Sequence, residues 1–305
     1  MSDDKTTLLE TALPLPLFIR GKVRDTYELG DRLLIIASDR ISVFDVILPN
    51  GIPDKGSVLN QISAFWFEKT ADIIPNHLVE VIYDTAALDA YLPAGERFPY
   101  PDYLSGRSMV VKKAERINIE WVVRGYISGS AWEEYRQSGT IQGMPAPIGL
   151  LESQKLPEPL FTPTTKAESG HDLPMSMDEV KKILGEARSE EMKEKSLAIY
   201  TYASKYARDR GLIIADTKME FGLADGQLIL IDELLTPDSS RFWGIDDYKV
   251  GQSQPSYDKQ PVRDWTARTG WNKQPPAPEL TQEVIQATTR RYREAYEKLT
   301  GKELK

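Results

Sequence analysis

The sequence predicts an α+β protein with a strand-rich first lobe and a second lobe that combines helices with an antiparallel hairpin. Three observations predict this class: two strand-like runs joined by a Gly30-Asp31 turn, apolar residues at helical spacing within residues 51–69, and a run of period two that ends near Asp225-Gly226. Alternation of period two is typical of strands, and Asp-Gly is a strong signal for a hairpin turn.

The first lobe is expected to cover residues 1–113. Its predicted elements are strands at residues 17–29, 32–37 and 108–111 and a helix within residues 51–69. A short polar connection, residues 112–115, then leads into a strand at residues 117–123, and we place the boundary between the lobes at this connection.

The second lobe is expected to cover residues 114–305. Residues 145–163 are rich in proline, which excludes a regular helix or a central strand and predicts an extended surface loop. Ser176 and Glu179 have the spacing of a capping box for the first of two helices, and Gly211 is expected to end the second. A polar loop at residues 248–277 and an amphipathic helix at residues 281–299 complete the chain.

Composition narrows the possible chemistry. With 28% charged and 41% hydrophobic residues, the 305-residue chain has the composition of a globular protein, and its net charge of −8 disfavours a nucleic-acid binder. Neither a membrane span nor a targeting segment is evident, so a cytoplasmic protein is expected, and the sequence is compatible with a monomer. Zero cysteines and two histidines leave catalysis to carboxylates, lysines, arginines and a bound cation.

The hairpin around Asp225-Gly226 carries the most informative charges. Alternation along residues 213–223 puts Lys218 and Glu220 on one face of a strand. If a three-residue loop closed by Gly226 joins the strands, Leu223 pairs with Gln227 and Lys218 falls opposite Asp232. A two-residue loop would shift the register by one and turn Asp232 to the other face.

Glu220 and Asp232 on neighbouring strands predict a metal site. Two close carboxylates repel each other unless a cation lies between them. Mg²⁺ is the natural cation, because it takes one or two carboxylates and completes its shell with water and phosphate oxygens. The alternative is an acidic, solvated hairpin edge without a metal.

Three further segments could bind ligands. Gly21 and Lys22 could admit and neutralise phosphate oxygens, although a basic surface turn is the alternative. Ser130 and Glu133 have capping-box spacing, so Arg124 beside that helix start could complete an anion site, unless the helix is merely capped. Residues 162–172 form a polar loop that could bind carboxylates and amines or could simply be solvated. His77 is expected to be a loop histidine without a catalytic role.

A series of motifs resembles the phosphoribosylaminoimidazole-succinocarboxamide synthase (SAICAR synthetase) family over most of the chain. They are, in order, RGKVRD, SDRISVFD, GIPDKGSVLNQIS, RGYISGS, FTPTTKAESGHD, DTKMEFG, IDELLTPDSSRFW and SYDKQPVRDW. The resemblance implies a β-rich N-terminal lobe and a mixed α/β C-terminal lobe with antiparallel sheets, related to ATP-grasp and kinase architectures, with ATP between the lobes. It also implies a ligase of purine biosynthesis that joins carboxyaminoimidazole ribonucleotide to L-aspartate as ATP becomes ADP and phosphate.

The resemblance implies a role for each candidate residue. Lys218, Glu220 and Asp232 would be catalytic, with Glu220 and Asp232 holding Mg²⁺. The remaining roles would be ATP binding by Gly21, Lys22, Val23, Arg24, Lys112, Ala114 and Glu115, imidazole-nucleotide binding by Arg124, Ser130, Asp238 and Arg241, and aspartate binding by Lys166, Glu168 and His171. A small-molecule kinase and a non-catalytic nucleotide sensor remain alternatives at this point.

Overall fold

The structure is a computed structural model that describes residues 7–166 and 173–305. Strands in its first part are β1 (Leu17–Arg20), β2 (Arg24–Leu29), β3 (Arg32–Ala37), β4 (Arg40–Val43), β5 (Val46–Gly51), β6 (Leu78–Ile82) and β7 (Ser108–Lys112). Five of them form an antiparallel sheet in the order β1-β2-β3-β7-β6, while β4 and β5 form a separate hairpin. The predicted strand at residues 17–29 is therefore two strands, which are separated by a turn at residues 21–23.

A second antiparallel sheet follows. Its strands and the short strands beside it are β8 (Glu115–Arg116), β9 (Ile119–Tyr126), β10 (Thr140–Ile141), β11 (Met144–Pro145), β12 (Lys155–Phe161), β13 (Thr164–Thr165), β14 (Leu212–Ala224), β15 (Gln227–Ile231) and β16 (Ser240–Gly244). The long strand β14 lies at the centre and pairs with β8, β9, β15 and β16. The strand β12 lies on the outer edge of β9.

Helices cover these sheets. They are α1 (Lys55–Lys69), α2 (Gly129–Ser138), α3 (Met177–Leu184), α4 (Glu186–Arg208), α5 (Gln260–Arg268) and α6 (Gln282–Thr300). The main core joins apolar side chains of α1, α4, α6 and the central strands of the second sheet. None of the helices within residues 7–166 and 173–305 is long and apolar enough to cross a bilayer.

The mixed α/β architecture with antiparallel sheets is the predicted fold class. The chain passes from the first sheet to the second at the position where we placed the lobe boundary. The first sheet ends with β7 at Lys112, and the second begins with β8 at Glu115. We propose the division into residues 1–113 and 114–305 on this basis. The last two helices return to the first part of the chain. Both α5 and α6 pack against the β4–β5 hairpin, and α6 also packs against α1.

The hairpin loop was predicted with the wrong length. Ala224 pairs with Gln227 and Leu223 with Leu228, so the loop contains two residues rather than three. Asp225 and Gly226 have φ values of 50° and 78°, which two-residue turns require and which Asp-Gly sequences favour. This register alone would turn Asp232 away from Glu220.

Three other local predictions were wrong. Residues 145–163 include the edge strand β12, which tolerates Pro157 and Pro159 where its pairing with β9 is irregular. Ser130 does not cap α2, because Ser128 is the N-cap residue and makes no side-chain capping bond. The helix α5, which begins beside a proline, interrupts the predicted loop at residues 248–277. In contrast, the capping box of Ser176 and Glu179 is present at α3.

Candidate active site

A cleft of about 1300 Å³ lies between the two sheets. Its wall includes β1, the turn at residues 21–23, the tip of the β4–β5 hairpin, the connection between β7 and β8, and the β14–β15 hairpin. The predicted site residues that line it are Gly21, Lys22, Val23, Arg24, Lys112, Ala114, Glu115, Lys166, Lys218, Glu220, Asp232 and Asp238. Segments far apart in sequence therefore converge on one cavity.

The turn between β1 and β2 brings positive charge to the cleft. The Gly21 amide donates to the Arg24 carbonyl at 2.7 Å and closes the turn. Lys22 forms an ion pair with Asp45 at the tip of the β4–β5 hairpin. Arg24 reaches across to the second sheet, where its guanidinium lies 2.7 Å from Asp232 and 3.2 Å from Glu233. Burial opposes the charge on Arg24, but these two carboxylates raise its pKa above the ordinary value.

Asp232 faces the cleft because of its own backbone conformation, which the alternation of strand residues does not predict. The paired segment of β15 ends at Ile231, and Asp232 itself has a φ of 65°. The left-handed conformation breaks the alternation of strand side chains. Asp232 therefore lines the same cavity as Glu220, even though the two-residue loop shifts the register.

Alternating charges surround Glu220. Its carboxylate pairs with Lys166 and lies 3.7 Å from Lys218. Glu120 on β9 accepts a hydrogen bond from Lys218 and lies 3.5 Å from Lys166. Burial favours neutral Lys218, but Glu220 and Glu120 outweigh it and raise the pKa of Lys218 above its ordinary value. The lysine is therefore positively charged at neutral pH.

The donor set in the cleft suits Mg²⁺ when phosphate is also present. Four carboxylates, those of Glu120, Glu220, Asp232 and Glu233, face three cations, Arg24, Lys166 and Lys218, which leaves a net charge of −1. Within residues 7–166 and 173–305, we find no group of three or more acidic or histidine side chains that could hold a metal ion without other ligands. Mg²⁺ commonly uses one or two carboxylates and substrate phosphates for the rest of its shell. Glu220 and Asp232 fit that pattern.

The predicted arginines form a cluster around Asp216, outside the residues that line the cleft. Arg124 on β9 and Arg241 on β16 both donate to the Asp216 carboxylate, with an Arg124 distance of 3.1 Å. Asp216 lies two residues before Lys218 on β14, so the arginine cluster and the cleft follow each other along one face of that strand. Ser130 joins the cluster, because its hydroxyl lies 3.4 Å from the Arg124 guanidinium.

Gly129 makes room for the Arg241 guanidinium. Its φ is 56°, and a Cβ placed there would lie 2.3 Å from the Arg241 guanidinium. Glycine at 129, the second glycine of the RGYISGS motif, suits this left-handed backbone, and a larger residue there would require the Arg241 guanidinium to shift. Burial lowers the pKa of Arg124, with the Asp216 carboxylate opposing it, whereas Asp216 raises the pKa of Arg241.

Three cationic residues near the predicted Asp238 were not predicted from the sequence: Lys55, Lys259 and Arg263. Asp238 accepts hydrogen bonds from the buried Lys55 at 2.8 Å and from the Tyr292 hydroxyl at 2.6 Å. Lys259 and Arg263 line the cleft near it. Burial would raise the pKa of Asp238, but Lys259 and Lys55 lower it below the ordinary value. The four-residue spacing of Lys259 and Arg263 in the SYDKQPVRDW motif was the available signal, since it puts both at the start of α5 on one face.

The connection between the sheets also lines the cleft. Lys112, Ala114 and Glu115 border the cleft, and Glu115 pairs with Leu223 of β14. His77 lies in the loop before β6, as predicted, but it is buried, and its backbone bonds to Leu230 in one sheet and Lys112 in the other. Burial lowers the pKa of His77 to about 4, so its ring is neutral. Of the predicted aspartate-binding residues, Lys166 is in the cleft, whereas Glu168 and His171 lie outside the described residues.

The fold and cleft define a class of protein: one in which two antiparallel sheets enclose a cleft that is lined by carboxylates and cationic side chains. The sequence model for SAICAR synthetase matches residues 17–278. Phosphoribosylaminoimidazole-succinocarboxamide synthase from Thermodesulfovibrio yellowstonii is 54% identical over 97% of this chain and 100% of that protein. The same enzyme from Syntrophobacter fumaroxidans is 49% identical over 99% of this chain and 98% of that protein.

Solved structures agree with these relatives. SAICAR-synthase from Saccharomyces cerevisiae, complexed with SAICAR, is 44% identical, has a TM-score of 0.87, and matches 97% of this chain and 99% of its own. A SAICAR synthetase in complex with ADP shares the fold, with a TM-score of 0.68 at 22% identity over 94% of this chain and 99% of its own. The chain belongs to the SAICAR synthetase family, whose members are ligases of purine biosynthesis that join carboxyaminoimidazole ribonucleotide to aspartate. The kinase alternative is not favoured.

Proposed function

We propose that the cleft binds ATP and activates the carboxylate of the imidazole nucleotide by phosphoryl transfer, after which the amine of L-aspartate displaces phosphate. One observation carries this proposal: Lys22, Arg24 and Lys218 converge with Glu220 and Asp232 in a single cleft. A carboxylate is a poor acylating agent, and phosphoryl transfer to it requires positioning and charge neutralisation more than covalent help from the protein.

The roles of the chain's own groups follow from their positions. The turn at residues 21–24 would receive the ATP phosphates, and Lys218 would neutralise charge that develops on the transferred group. Residues 112–115 border the cleft at the connection between the sheets and would hold the adenine ring. The ADP complex of a distant relative is in keeping with ATP as co-substrate.

Glu220 and Asp232 would hold Mg²⁺. The ion would screen the charges of the carboxylates and phosphates and polarise the phosphoryl group. Arg24 now neutralises Asp232, and Lys166 neutralises Glu220, so both carboxylates keep their orientation by ion pairing. Arrival of ATP gives these cations phosphate oxygens as alternative partners.

The arginine cluster would bind the imidazole nucleotide. Arg124 and Arg241 offer guanidinium groups suited to phosphate or carboxylate, and Asp238 lies among Lys55, Lys259 and Tyr292. The yeast relative was solved with SAICAR, the product that contains this nucleotide. Lys166, with Glu168 and His171, would bind aspartate. The cytoplasmic location and the monomeric state remain predictions from the sequence.

The experiment that tests the proposal measures phosphate release from ATP by the purified protein. We expect release only when both L-aspartate and carboxyaminoimidazole ribonucleotide are present with Mg²⁺, and formation of the succinocarboxamide nucleotide in equal amount. Replacement of aspartate by succinate, which lacks the amine, is the matched control. Rapid phosphate release without aspartate, or phosphorylation of a hydroxyl without release, would contradict the proposal.

A further inference from the structure

Arg40 lies behind the turn at residues 21–23 and has no role in the site described so far. It belongs to the SDRISVFD motif and starts β4, and its side chain is 9% exposed. It does not line the cleft, whereas Gly21, Lys22 and Val23 do. Arg40 therefore contacts the turn from the side that faces away from the cavity.

The guanidinium of Arg40 uses all five of its N–H groups. It donates to the carbonyls of Lys22 at 3.0 Å, Gly21 at 3.0 Å and Leu9 at 2.6 Å. The remaining two donate to the Asp25 carboxylate at 2.7 Å and 3.4 Å. A planar guanidinium with every donor engaged holds its partners in a fixed geometry.

Asp25 is itself held in place. Its side chain is fully buried, and the Thr11 hydroxyl donates to it at 2.7 Å. Asp25 thus balances the buried charge of Arg40 and fixes the orientation of the guanidinium plane. The segment at residues 8–11 closes over the pair, because the Leu9 carbonyl also accepts from Arg40.

The two turn carbonyls determine where the neighbouring amides point. In a trans peptide, the C=O and the following N–H point in opposite directions. With the Gly21 and Lys22 carbonyls directed at Arg40, the amides of Lys22 and Val23 point to the opposite side, where both residues line the cleft. Among the residues that the structure describes, neither amide donates to a backbone carbonyl. Two successive amides that point to the same side of a turn can form an anion-binding nest.

We propose that Arg40 is a positioning residue that presents the Lys22 and Val23 amides to the phosphates of ATP. The inference rests on the proposed function, since it takes this turn as the phosphate-binding segment. Arg40 acts from behind the turn and touches no substrate. Lysine at this position keeps the charge but cannot hold both carbonyls and both Asp25 oxygens at once.

The test compares Arg40→Lys with Arg20→Lys by titration of the purified proteins with ATP and with adenosine. Arg20 is the matched control, because it also contacts Asp25 and a carbonyl of the N-terminal segment, that of Thr11, but no carbonyl of the turn. We expect Arg40→Lys to raise the Kd for ATP by about tenfold or more and to change the Kd for adenosine by less than about twofold. Arg20→Lys should change neither by more than about twofold.

The outcomes separate the inference from the proposed function. Equal weakening of ATP and adenosine by Arg40→Lys would show a merely structural role, and no weakening of either would also overturn the inference. If the wild-type protein itself does not prefer ATP to adenosine, the proposed function fails as well. A second measurement needs no variant: the backbone amide resonances of Lys22 and Val23 should shift with ATP and not with adenosine, and unchanged resonances in the ATP complex would overturn the inference.

Discussion

Lys218 and Glu220 stand two residues apart on β14, and this spacing alone predicted that they share a face. The structure puts both in the cleft, with Glu120 completing the charge alternation. Glu120 could not be found in the same way, because its contact with Lys218, whose cross-strand partner is Val122, depends on the pairing of β9 with β14. Pairing between distant strands leaves no local pattern in the sequence.

Replacement of either proposed metal ligand tests the site at the scale of single residues. Glu220→Gln and Asp232→Asn keep side-chain size but remove the negative charge, so we expect kcat to fall by at least about a hundredfold, the scale for loss of one electrostatic partner of the transition state. The Mg²⁺ concentration needed for half-maximal rate should rise in both variants. Steady-state kinetics over a range of Mg²⁺ concentrations measures both effects.

The control for these variants is Glu158→Gln, an equivalent change at an exposed position on the edge strand β12. It should leave kcat and the Mg²⁺ dependence unchanged. Rates near the wild-type value in both Glu220→Gln and Asp232→Asn would remove the metal assignment. A loss of activity with the Mg²⁺ dependence unaltered would assign these carboxylates to another step.

At the scale of elements, the turn between β14 and β15 depends on glycine. Gly226 has a φ of 78°, which any residue with a Cβ adopts at a cost, and its surroundings are open. Gly226→Ala is therefore expected to lower the free energy of unfolding by about 1 kcal/mol through backbone strain. The Kd for ATP should remain unchanged because the strand register is retained. Denaturant unfolding and ATP titration measure the two quantities.

Gly95→Ala is the matched control for the turn. Gly95 also has open surroundings but does not have a φ in the left-handed range, so alanine should be neutral or slightly stabilising there. Equal unfolding free energies for the two variants would show that the left-handed conformation at residue 226 does not make alanine destabilising there.

The sequence predicted the presence of elements better than their ends. The β14–β15 hairpin and the capping box at α3 were visible because turn and cap signals are local. The loop length was not, since a two-residue and a three-residue loop suit the same Asp-Gly sequence and differ by one residue in register. Asp232 reached the cleft through its own left-handed backbone, a feature that alternation cannot express.

At the scale of the whole molecule, the cleft is built by two sheets whose strands are separated by long stretches of chain. Arg24 of the first sheet bonds to Asp232 after β15, 208 residues later. Motif resemblance predicted the two lobes, but the contact of Arg40 with the turn and those of Lys55 and Tyr292 with Asp238 appear only once the chain is folded. Their contacts join segments whose separation in sequence follows no periodic pattern.

Transfer of oxygen from the imidazole nucleotide to phosphate tests the central claim most directly. Carboxyaminoimidazole ribonucleotide carrying ¹⁸O in its carboxylate is converted with ATP and L-aspartate, and the released phosphate is examined by mass spectrometry. If the carboxylate attacks the terminal phosphoryl group and phosphate then leaves as the amide forms, each phosphate carries one ¹⁸O atom. Phosphate without label, alongside normal product formation, would contradict activation of the carboxylate by phosphoryl transfer in this cleft.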